Sequence, residues 1–255
     1  MIFDQLDAVR HERKRMTSHN YKLFCLMAFI CILSPAPSQP PAAHRGPISR
    51  PEEIEWTWEV RPTHVDAKLP NILLVGDSIT RNYFPEVQHQ LTNVANVYLF
   101  ATSASIGDPL LSRQLAEFAS MEKVAFQVVH FNNGMHGWTY SETEYRDAFP
   151  SLLRELHAIA PGASLIWATI TPVKVGTVPG PTNDRIDARN AIALGFIAKA
   201  RIPVDDQHGL MSHHTDQYED NVHFNSEGAA IQGKQAAQTL RTSLSKFTRH
   251  SVLPS

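Results

Sequence analysis

Cysteine is almost absent from this sequence. The 255 residues include two cysteines, Cys25 and Cys31, and both lie inside a short apolar run, Leu23–Leu33. Five basic residues precede that run and small residues follow it, which is the order of a secretory signal peptide. We therefore expect residues 1–36 to be removed on export, which leaves a chain without thiols. Cysteine nucleophiles, thiolate metal sites and disulfides are then excluded.

A long hydrophobic run is missing from the same region. The run Leu23–Leu33 is shorter than the roughly 20 residues that a membrane-spanning helix needs. An uncleaved N-terminal anchor is the alternative to a signal peptide. In both cases we expect a secreted or periplasmic domain. With the signal peptide cleaved, we expect no membrane contact for the mature chain.

Neither sign of charge dominates. The formal net charge is −2, so the chain has no electrostatic footprint for nucleic acid. Its 13 histidines are scattered and form no strong metal-ligand pattern, and we predict no metal and no organic cofactor. A hydrophobic content of 43% with 19% charged residues is typical of a globular protein with a sizeable core.

The region before the core domain has two parts. The stretch Pro35–Pro51 is rich in proline and alanine, which predicts an extended tether. The stretch Glu55–Val60 alternates aromatic or apolar with polar residues, which predicts an edge strand whose tryptophans either pack on the domain or stack against a sugar. The predicted divisions after the signal peptide are a tether with this extension over 37–68, a domain over 69–247 and a tail over 248–255.

Strand-like and amphipathic helical segments alternate through the domain. The predicted strands are Ile72–Val75, Val94–Phe100, Ala125–Asn132, Ser164–Ile170 and Ile202–Asp205. The predicted helices are Tyr83–Leu91, Leu110–Met121, Glu144–Ile159, Arg185–Ala200 and Ser226–Leu244. This alternation favours parallel strands joined by right-handed crossovers, and therefore a three-layer α/β/α sandwich with a mostly parallel sheet of about five strands.

The first motif with chemical meaning closes the first of these strands. The apolar run from Ile72 breaks at Gly76, and Ser78 follows two residues later. A serine on a tight turn between a strand and a helix presents its hydroxyl at the carboxyl edge of the sheet, where α/β folds carry out their chemistry. For the tripeptide Gly76-Asp77-Ser78 alone, an ordinary strand end followed by a turn is the alternative interpretation.

The second motif lies near the other end of the chain. Asp220 and His223 are separated by two residues, so one loop can place the carboxylate beside one ring nitrogen. The other nitrogen is then free to face a serine from elsewhere in the fold. Together with Ser78, the pair indicates a Ser-His-Asp triad.

On these motifs the chain resembles the SGNH (GDSL) hydrolase family from Leu69 to Leu240. Gly76–Thr80 resembles the first block of that family, Ala104–Asp108 the second, and Asp220–His223 the last. The resemblance implies a flavodoxin-like sandwich, a catalytic triad of Ser78, His223 and Asp220, and an oxyanion hole that includes the backbone N–H groups of Ser78 and Gly107. Thr80 replaces the second glycine of the elbow that α/β-hydrolases use, which argues against that fold.

The third block departs from the family pattern. The family has Gly-x-Asn-Asp after its third strand, and the asparagine donates to the oxyanion. Here the strand is followed by Asn132-Asn133-Gly134-Met135-His136-Gly137-Trp138. If Gly134 is the glycine of the block, His136 replaces the asparagine. Otherwise Asn133 is the donor.

Other polar and aromatic residues are weaker candidates. Trp138 follows the third block and either lines a substrate pocket or packs in the core. Arg185 and Arg189 lie one turn apart on a predicted helix. They either belong to a solvated face of that helix or contact an acidic group of the substrate. The pairs His213–His214 and Asp205–Asp206 are interpreted as a solvated loop and as capping residues.

The resemblance and the motifs together predict an exported serine esterase that hydrolyses O-acyl esters, with acetyl esters of a carbohydrate as the favoured substrate. The predicted partner is therefore a small-molecule or polysaccharide ester. Two alternatives stay open: an O-acyltransferase with the same triad, and a non-catalytic carbohydrate-binding protein with a degenerate site. The oligomeric state is not predicted.

Overall fold

The computed structural model describes residues 48–250, with side chains up to residue 245. The predicted signal peptide, most of the predicted tether and the end of the predicted tail lie outside the described residues. Within residues 48–250, no helix combines the length and the apolar character that crossing a membrane requires.

Strands and helices alternate along the described chain, as predicted. The strands are β1 (Thr57–Val60), β2 (Asn71–Gly76), β3 (Asn96–Thr102), β4 (Val128–Phe131), β5 (Ser164–Ala168) and β6 (Val204–Asp205). The α-helices are α1 (Ser78–Gln90), α2 (Pro109–Glu122), α3 (Glu142–Ile159), α4 (Asn183–Ala200), α5 (Gln207–Ser212) and α6 (Ser226–His250). A 3₁₀ turn covers Thr215–Gln217.

Three helices differ from the prediction. Helix α6 ends at His250 rather than at Leu244. Helix α1 begins at Ser78 rather than Tyr83, because the Asp77 side chain accepts a hydrogen bond from the N–H of Ile79 and caps the helix directly after the strand. Helix α5 was not predicted. It has 6 residues and is capped by Asp206, whose side chain accepts a hydrogen bond from the N–H of Gly209. A segment this short carries no recognisable helical period.

The six strands form one sheet in the order β1-β3-β2-β4-β5-β6. All neighbouring strands are parallel except β1, which runs antiparallel to β3 at one edge. Taken alone, the parallel strands follow the flavodoxin-like order 2-1-3-4-5. The predicted sandwich is confirmed, and β1 raises the predicted five strands to six.

Helices cover both faces of the sheet. On β2, Ile72 and Leu74 pack in the apolar layer with α1 and α6, whereas Leu73 and Val75 pack in the layer with α2 and α3. Both faces of this strand are thus buried, which explains its unbroken apolar sequence. Burial of each such side chain stabilises the fold by about 1.5–3 kcal/mol.

The last residues of the predicted tether are packed, contrary to expectation. The hydroxyl of Ser49 and the backbone N–H of Arg50 donate to Oδ2 of Asp108 at 2.9 and 2.8 Å. The hydroxyl of Tyr140 donates to the carbonyl oxygen of Ile48 at 3.0 Å. These partners lie 58 or more residues away in the sequence, so the local composition of the tether carried no sign of them.

Candidate active site

The site is built at the carboxyl edge of the sheet. Strands β2 and β4 are neighbours at the point where the strand order reverses, which is where open α/β sheets bind ligands. Ser78 follows β2 and the third block follows β4. The ladder between these strands continues to the N–H of Asn132, which donates to the carbonyl of Val75 at 2.9 Å. The third block therefore begins beside the turn that carries Ser78.

The turn before Ser78 needs a small residue. A side chain at Gly76 would place its Cβ 2.0 Å from Oγ1 of Thr80. Asp77 is 2% exposed and caps α1, so its carboxylate holds the turn. Ser78 is the first residue of α1 and is partly exposed.

The three predicted triad residues form one hydrogen-bonded chain. The hydroxyl of Ser78 lies 2.7 Å from Nε2 of His223, and Nδ1 of His223 lies 2.8 Å from Oδ2 of Asp220. The other carboxylate oxygen of Asp220 accepts from the backbone N–H groups of Val222 and His223, each at 2.7 Å. The carboxylate therefore fixes both the loop and the ring.

The charge of Asp220 is held by these contacts. Burial raises the pKa of its carboxyl group, but the hydrogen bonds from the N–H groups of His223 and Val222 and from the His223 ring outweigh burial and hold the pKa at about 2. Asp220 is thus an anion at any pH at which ester hydrolysis is normally measured. A carboxylate in this position favours the tautomer in which Nε2 of His223 can accept a proton from Ser78.

The second block contributes a turn with unusual backbone geometry. Gly107 has φ 97°, a conformation that side-chain-bearing residues rarely adopt. The next residue, Asp108, caps α2 by accepting from the N–H of Leu110, and its other oxygen accepts from Ser49, Arg50 and Tyr140. The turn that carries Gly107 is therefore fixed from both sides.

The two candidates for the third oxyanion donor have different surroundings. The side-chain amide of Asn133 is 4% exposed and donates to the carbonyl of Ala104 at 2.9 Å, which ties the third block to the second. Nδ1 of His136 lies 3.0 Å from Oε2 of Glu52. Nε2 of His136 is buried and has no hydrogen-bond partner among residues 48–245. Within this part of the chain, His136 thus has an unpartnered ring nitrogen, whereas the Asn133 amide is engaged with Ala104, and the role of each stays a prediction.

Arg189 is a residue that the sequence interpretation placed wrongly. It is 1% exposed rather than solvated, and its guanidinium donates to the carbonyl oxygens of Gly134, His136, Gly137 and Tyr140 at 2.9–3.2 Å. Burial lowers its pKa to about 10, which still leaves it charged at neutral pH. Arg189 thus holds the shape of the third-block loop.

Arg185 and Trp138 also contact the third-block loop that Arg189 holds. The guanidinium of Arg185 binds Glu142 at 2.7 Å and donates to the carbonyl oxygens of Trp138 and Tyr140, each at 2.9 Å. The indole of Trp138 lies against both guanidinium groups, 5.1 Å from Arg185 and 4.0 Å from Arg189, and its Nε1 donates to the carbonyl of Met135. These contacts occupy much of both candidate side chains, and their predicted contact with substrate stays a prediction.

The remaining candidates have structural surroundings. Asp206 caps α5 and Asp205 is buried against His130, while His213 is exposed. Among the described residues, no group of three or more histidine, cysteine, aspartate or glutamate side chains is arranged to hold a metal ion.

Comparison with known proteins agrees with the motifs. The family model described as GDSL-like lipase/acylhydrolase matches residues 74–231. No curated protein matches the chain. Among solved structures, a lipase/acylhydrolase from Enterococcus faecalis is 20% identical with a TM-score of 0.55, over 68% of this chain and 96% of its own.

Two further solved structures have the same fold. An acetyl esterase mutant with an acetate ion is 18% identical with a TM-score of 0.56, over 70% of this chain and 100% of its own. A carbohydrate esterase family 3 protein from Talaromyces cellulolyticus is 18% identical with a TM-score of 0.54, over 70% of this chain and 99% of its own. The family match spans more than half of the sequence, and the chain therefore belongs to the GDSL-like lipase/acylhydrolase (SGNH hydrolase) family and is a carboxylic ester hydrolase.

Proposed function

We propose that this protein is an exported serine esterase that removes acyl groups, acetyl above all, from a carbohydrate through an acyl-enzyme. The observation that carries the proposal is the chain of contacts from Ser78 through His223 to Asp220, with atoms 2.7 and 2.8 Å apart. This spacing lets a proton move from the serine hydroxyl to the imidazole while the carboxylate stays charged.

The reaction has two halves. Oγ of Ser78 attacks the ester carbonyl carbon while Nε2 of His223 takes the hydroxyl proton, and the resulting oxyanion is stabilised by the N–H groups of Ser78 and Gly107 and by His136. The tetrahedral intermediate then expels the alcohol, which receives the proton from His223. A water molecule repeats the sequence on the acyl-enzyme and releases the carboxylic acid and free Ser78.

Surface features beside Ser78 support a carbohydrate substrate. Arg81 lies one turn after Ser78 on α1, and its guanidinium is 5.4 Å from the ring centre of Trp56 and 5.2 Å from that of Trp58. Trp58 is 52% exposed. An exposed indole beside a cation offers a stacking face with a polar neighbour, and aromatic side chains of this kind pack well on sugar rings.

A cavity of about 560 Å³ is lined by Gly107, by apolar side chains such as Ile106 and Leu111, and by the carboxylates of Glu144, Asp147 and Glu155. A long acyl chain placed against those carboxylates would remove charged groups from water, which is unfavourable. The acetyl esterase and the carbohydrate esterase among the similar structures agree with the same substrate class.

The test is ester hydrolysis by the wild type and by Ser78→Ala. We expect the variant to lose about 10⁴-fold or more in kcat, because no other group replaces the nucleophile. Ser120→Ala, on the exposed side of α2, is the matched control and keeps full activity. Full activity of Ser78→Ala contradicts the mechanism.

The substrate is tested with a panel of acetylated sugars and of esters with acyl chains of increasing length. We expect the highest kcat/KM on acetyl esters of sugars, and a preference for long acyl chains contradicts the carbohydrate assignment. Analysis of the products separates hydrolysis from transfer: free acetate supports the esterase, whereas an acetylated second sugar supports the acyltransferase.

A further inference from the structure

The N-terminal segment of residues 48–56 lies against the second and third blocks, which carry Gly107 and His136. This segment precedes the part of the chain that matches the family. At its first residues, Ser49 and Arg50 donate to Asp108, directly after Gly107. At its last residue, the N–H of Trp56 donates to Oγ of Ser103 at 2.8 Å. Contacts at both ends fix the segment where it passes the third block.

Glu52, between these two fixed ends, reaches the third block itself. Its Oε2 lies 3.0 Å from Nδ1 of His136, and its Oε1 accepts from the backbone N–H of Gly137 at 3.1 Å. The side chain of Glu52 is 36% exposed, whereas that of His136 is 14% exposed. One carboxylate thus orients the ring and the backbone that follows it, and the ring's other nitrogen, Nε2, stays buried without a partner in the described part of the chain.

The charges around His136 favour its protonated form. Burial opposes a charge on the ring, but the hydrogen bond with Glu52 and the fields of Asp77, Glu52 and Glu55 outweigh burial and raise the pKa of His136. Arg189 opposes them, since it donates to the backbone carbonyl of His136. For Glu52, burial raises the pKa, and the contacts with His136 and Gly137 outweigh it and lower the value. Both shifts indicate an ion pair.

The proton on His136 decides what Nε2 can do. With Nδ1–H donating to Glu52, a neutral ring presents a lone pair at Nε2, which repels an oxyanion. A protonated ring presents Nε2–H, which donates to an oxyanion with a charge-assisted hydrogen bond. With the Nδ1 proton held by Glu52, His136 donates from Nε2 only as the imidazolium, whereas an asparagine in the usual third block donates without a charge.

We propose that Glu52 is a positioning residue that holds His136 as an imidazolium with Nε2–H available to the oxyanion. The inference rests on the proposed esterase function. It makes Glu52 a part of the site, although the family match begins only at residue 74.

The test is a double-mutant cycle on Glu52→Gln and His136→Asn. We expect Glu52→Gln to lower kcat by about 10- to 100-fold with little change in KM, below the roughly 10²- to 10³-fold loss for removing an oxyanion donor. In the His136→Asn background, Glu52→Gln should change kcat by less than about 3-fold, because a neutral donor needs no counter-ion. An equal loss in both backgrounds, or no loss in the wild type, overturns the proposal. Glu53→Gln, an exposed neighbour, is the matched control and keeps full activity.

The pH profile gives a readout that a merely structural role would not move. Since the raised pKa of His136 keeps the donor charged up to that value, wild-type kcat should fall as the pH rises through it. This alkaline fall should move to lower pH in Glu52→Gln and be absent in His136→Asn. An alkaline limb that is unchanged in Glu52→Gln contradicts the assignment.

Proton NMR separates this proposal from the esterase function, because it is measured without substrate. The imidazole resonance that is missing in His136→Asn identifies His136. We expect it to titrate above its ordinary range in the wild type and lower in Glu52→Gln. Equal titration in the two proteins overturns the role of Glu52, even if the enzyme hydrolyses esters; absence of ester hydrolysis with the expected titration overturns the esterase function instead.

Discussion

Two histidine–carboxylate pairs with the same N···O distance lie in opposite environments. His223 and Asp220 are 2.8 Å apart on a surface loop, with 31% and 57% of their side chains exposed. His130 and Asp205 are also 2.8 Å apart, and both are fully buried. The distance alone does not separate a catalytic pair from a structural one.

The neighbours of each pair explain the difference. His223 turns its second nitrogen to the Ser78 hydroxyl, which is partly exposed. Asp205 instead accepts hydrogen bonds from Gln207 and Gln235 in addition to His130, and so joins β4, β6 and α6. A proton can therefore pass between the surface pair and a substrate, while the buried pair connects elements of the fold.

Among substitutions in the two histidine–carboxylate pairs, the largest effect is expected from Asp220→Asn. The amide cannot stabilise a charged His223 ring and can favour the wrong tautomer, so we expect kcat to fall by about 10³-fold. The loss is smaller than that for Ser78→Ala, because water reaches this exposed loop and partly replaces the carboxylate. Steady-state kinetics on an acetyl ester measure it.

The melting temperature of Asp220→Asn should stay close to that of the wild type, because the pair is exposed. If the variant keeps wild-type kcat, Asp220 is not the triad carboxylate. If it unfolds, the loop is structural, as the buried pair is.

The effect of Asp205→Asn is expected on stability rather than on activity. One amide oxygen cannot accept from His130, Gln207 and Gln235 as a carboxylate does, so we expect the free energy of unfolding to fall by about 3 kcal/mol at neutral pH. Urea unfolding measures the change, with Asp206→Asn, an exposed helix cap, as a control that loses little stability because asparagine caps helices about as well as aspartate. Loss of kcat in folded Asp205→Asn would contradict the comparison.

The same substitution has a predictable pH dependence. Burial raises the pKa of Asp205, but the hydrogen bonds from His130, Gln207 and Gln235 outweigh burial, and the pKa is lowered. The charged form therefore stabilises the fold above the unfolded pKa, and this stabilisation is lost as the pH falls through the folded pKa. The difference in unfolding free energy between wild type and Asp205→Asn should be largest near neutral pH and shrink in acid.

Local patterns were sufficient to predict the sheet and to find the three side chains that the structure joins in one hydrogen-bonded chain. Strand β2 could be predicted because both of its faces are buried, which gives an unbroken apolar run. Ser78 could be identified because it follows that strand within two residues. His223 and Asp220 share one loop, so their pairing needed no knowledge of the tertiary structure. Such features depend on residues close together in the chain.

The side chains that hold the third block come from distant parts of the sequence. Glu52 and His136 are 84 residues apart, and the proline-rich composition just before Glu52 favoured a tether. Arg189 had a usable signal: it lies on the buried stripe of α4 with Ile186, Ala193 and Ile197, at the spacing of one helix face. A charged residue among the apolar residues of a helix face indicates a buried side chain with hydrogen-bond partners. The interpretation of Arg189 as part of a solvated face overlooked this pattern.

Covalent labelling of Ser78 tests the central claim most directly. A fluorophosphonate probe reacts with a serine whose proton is taken by a neighbouring base, so the wild type should gain one probe per chain, on the peptide that contains Ser78. Ser78→Ala should gain none, and His223→Ala should react far more slowly. An unlabelled, folded wild type would contradict the account and favour a carbohydrate-binding protein with an inactive site.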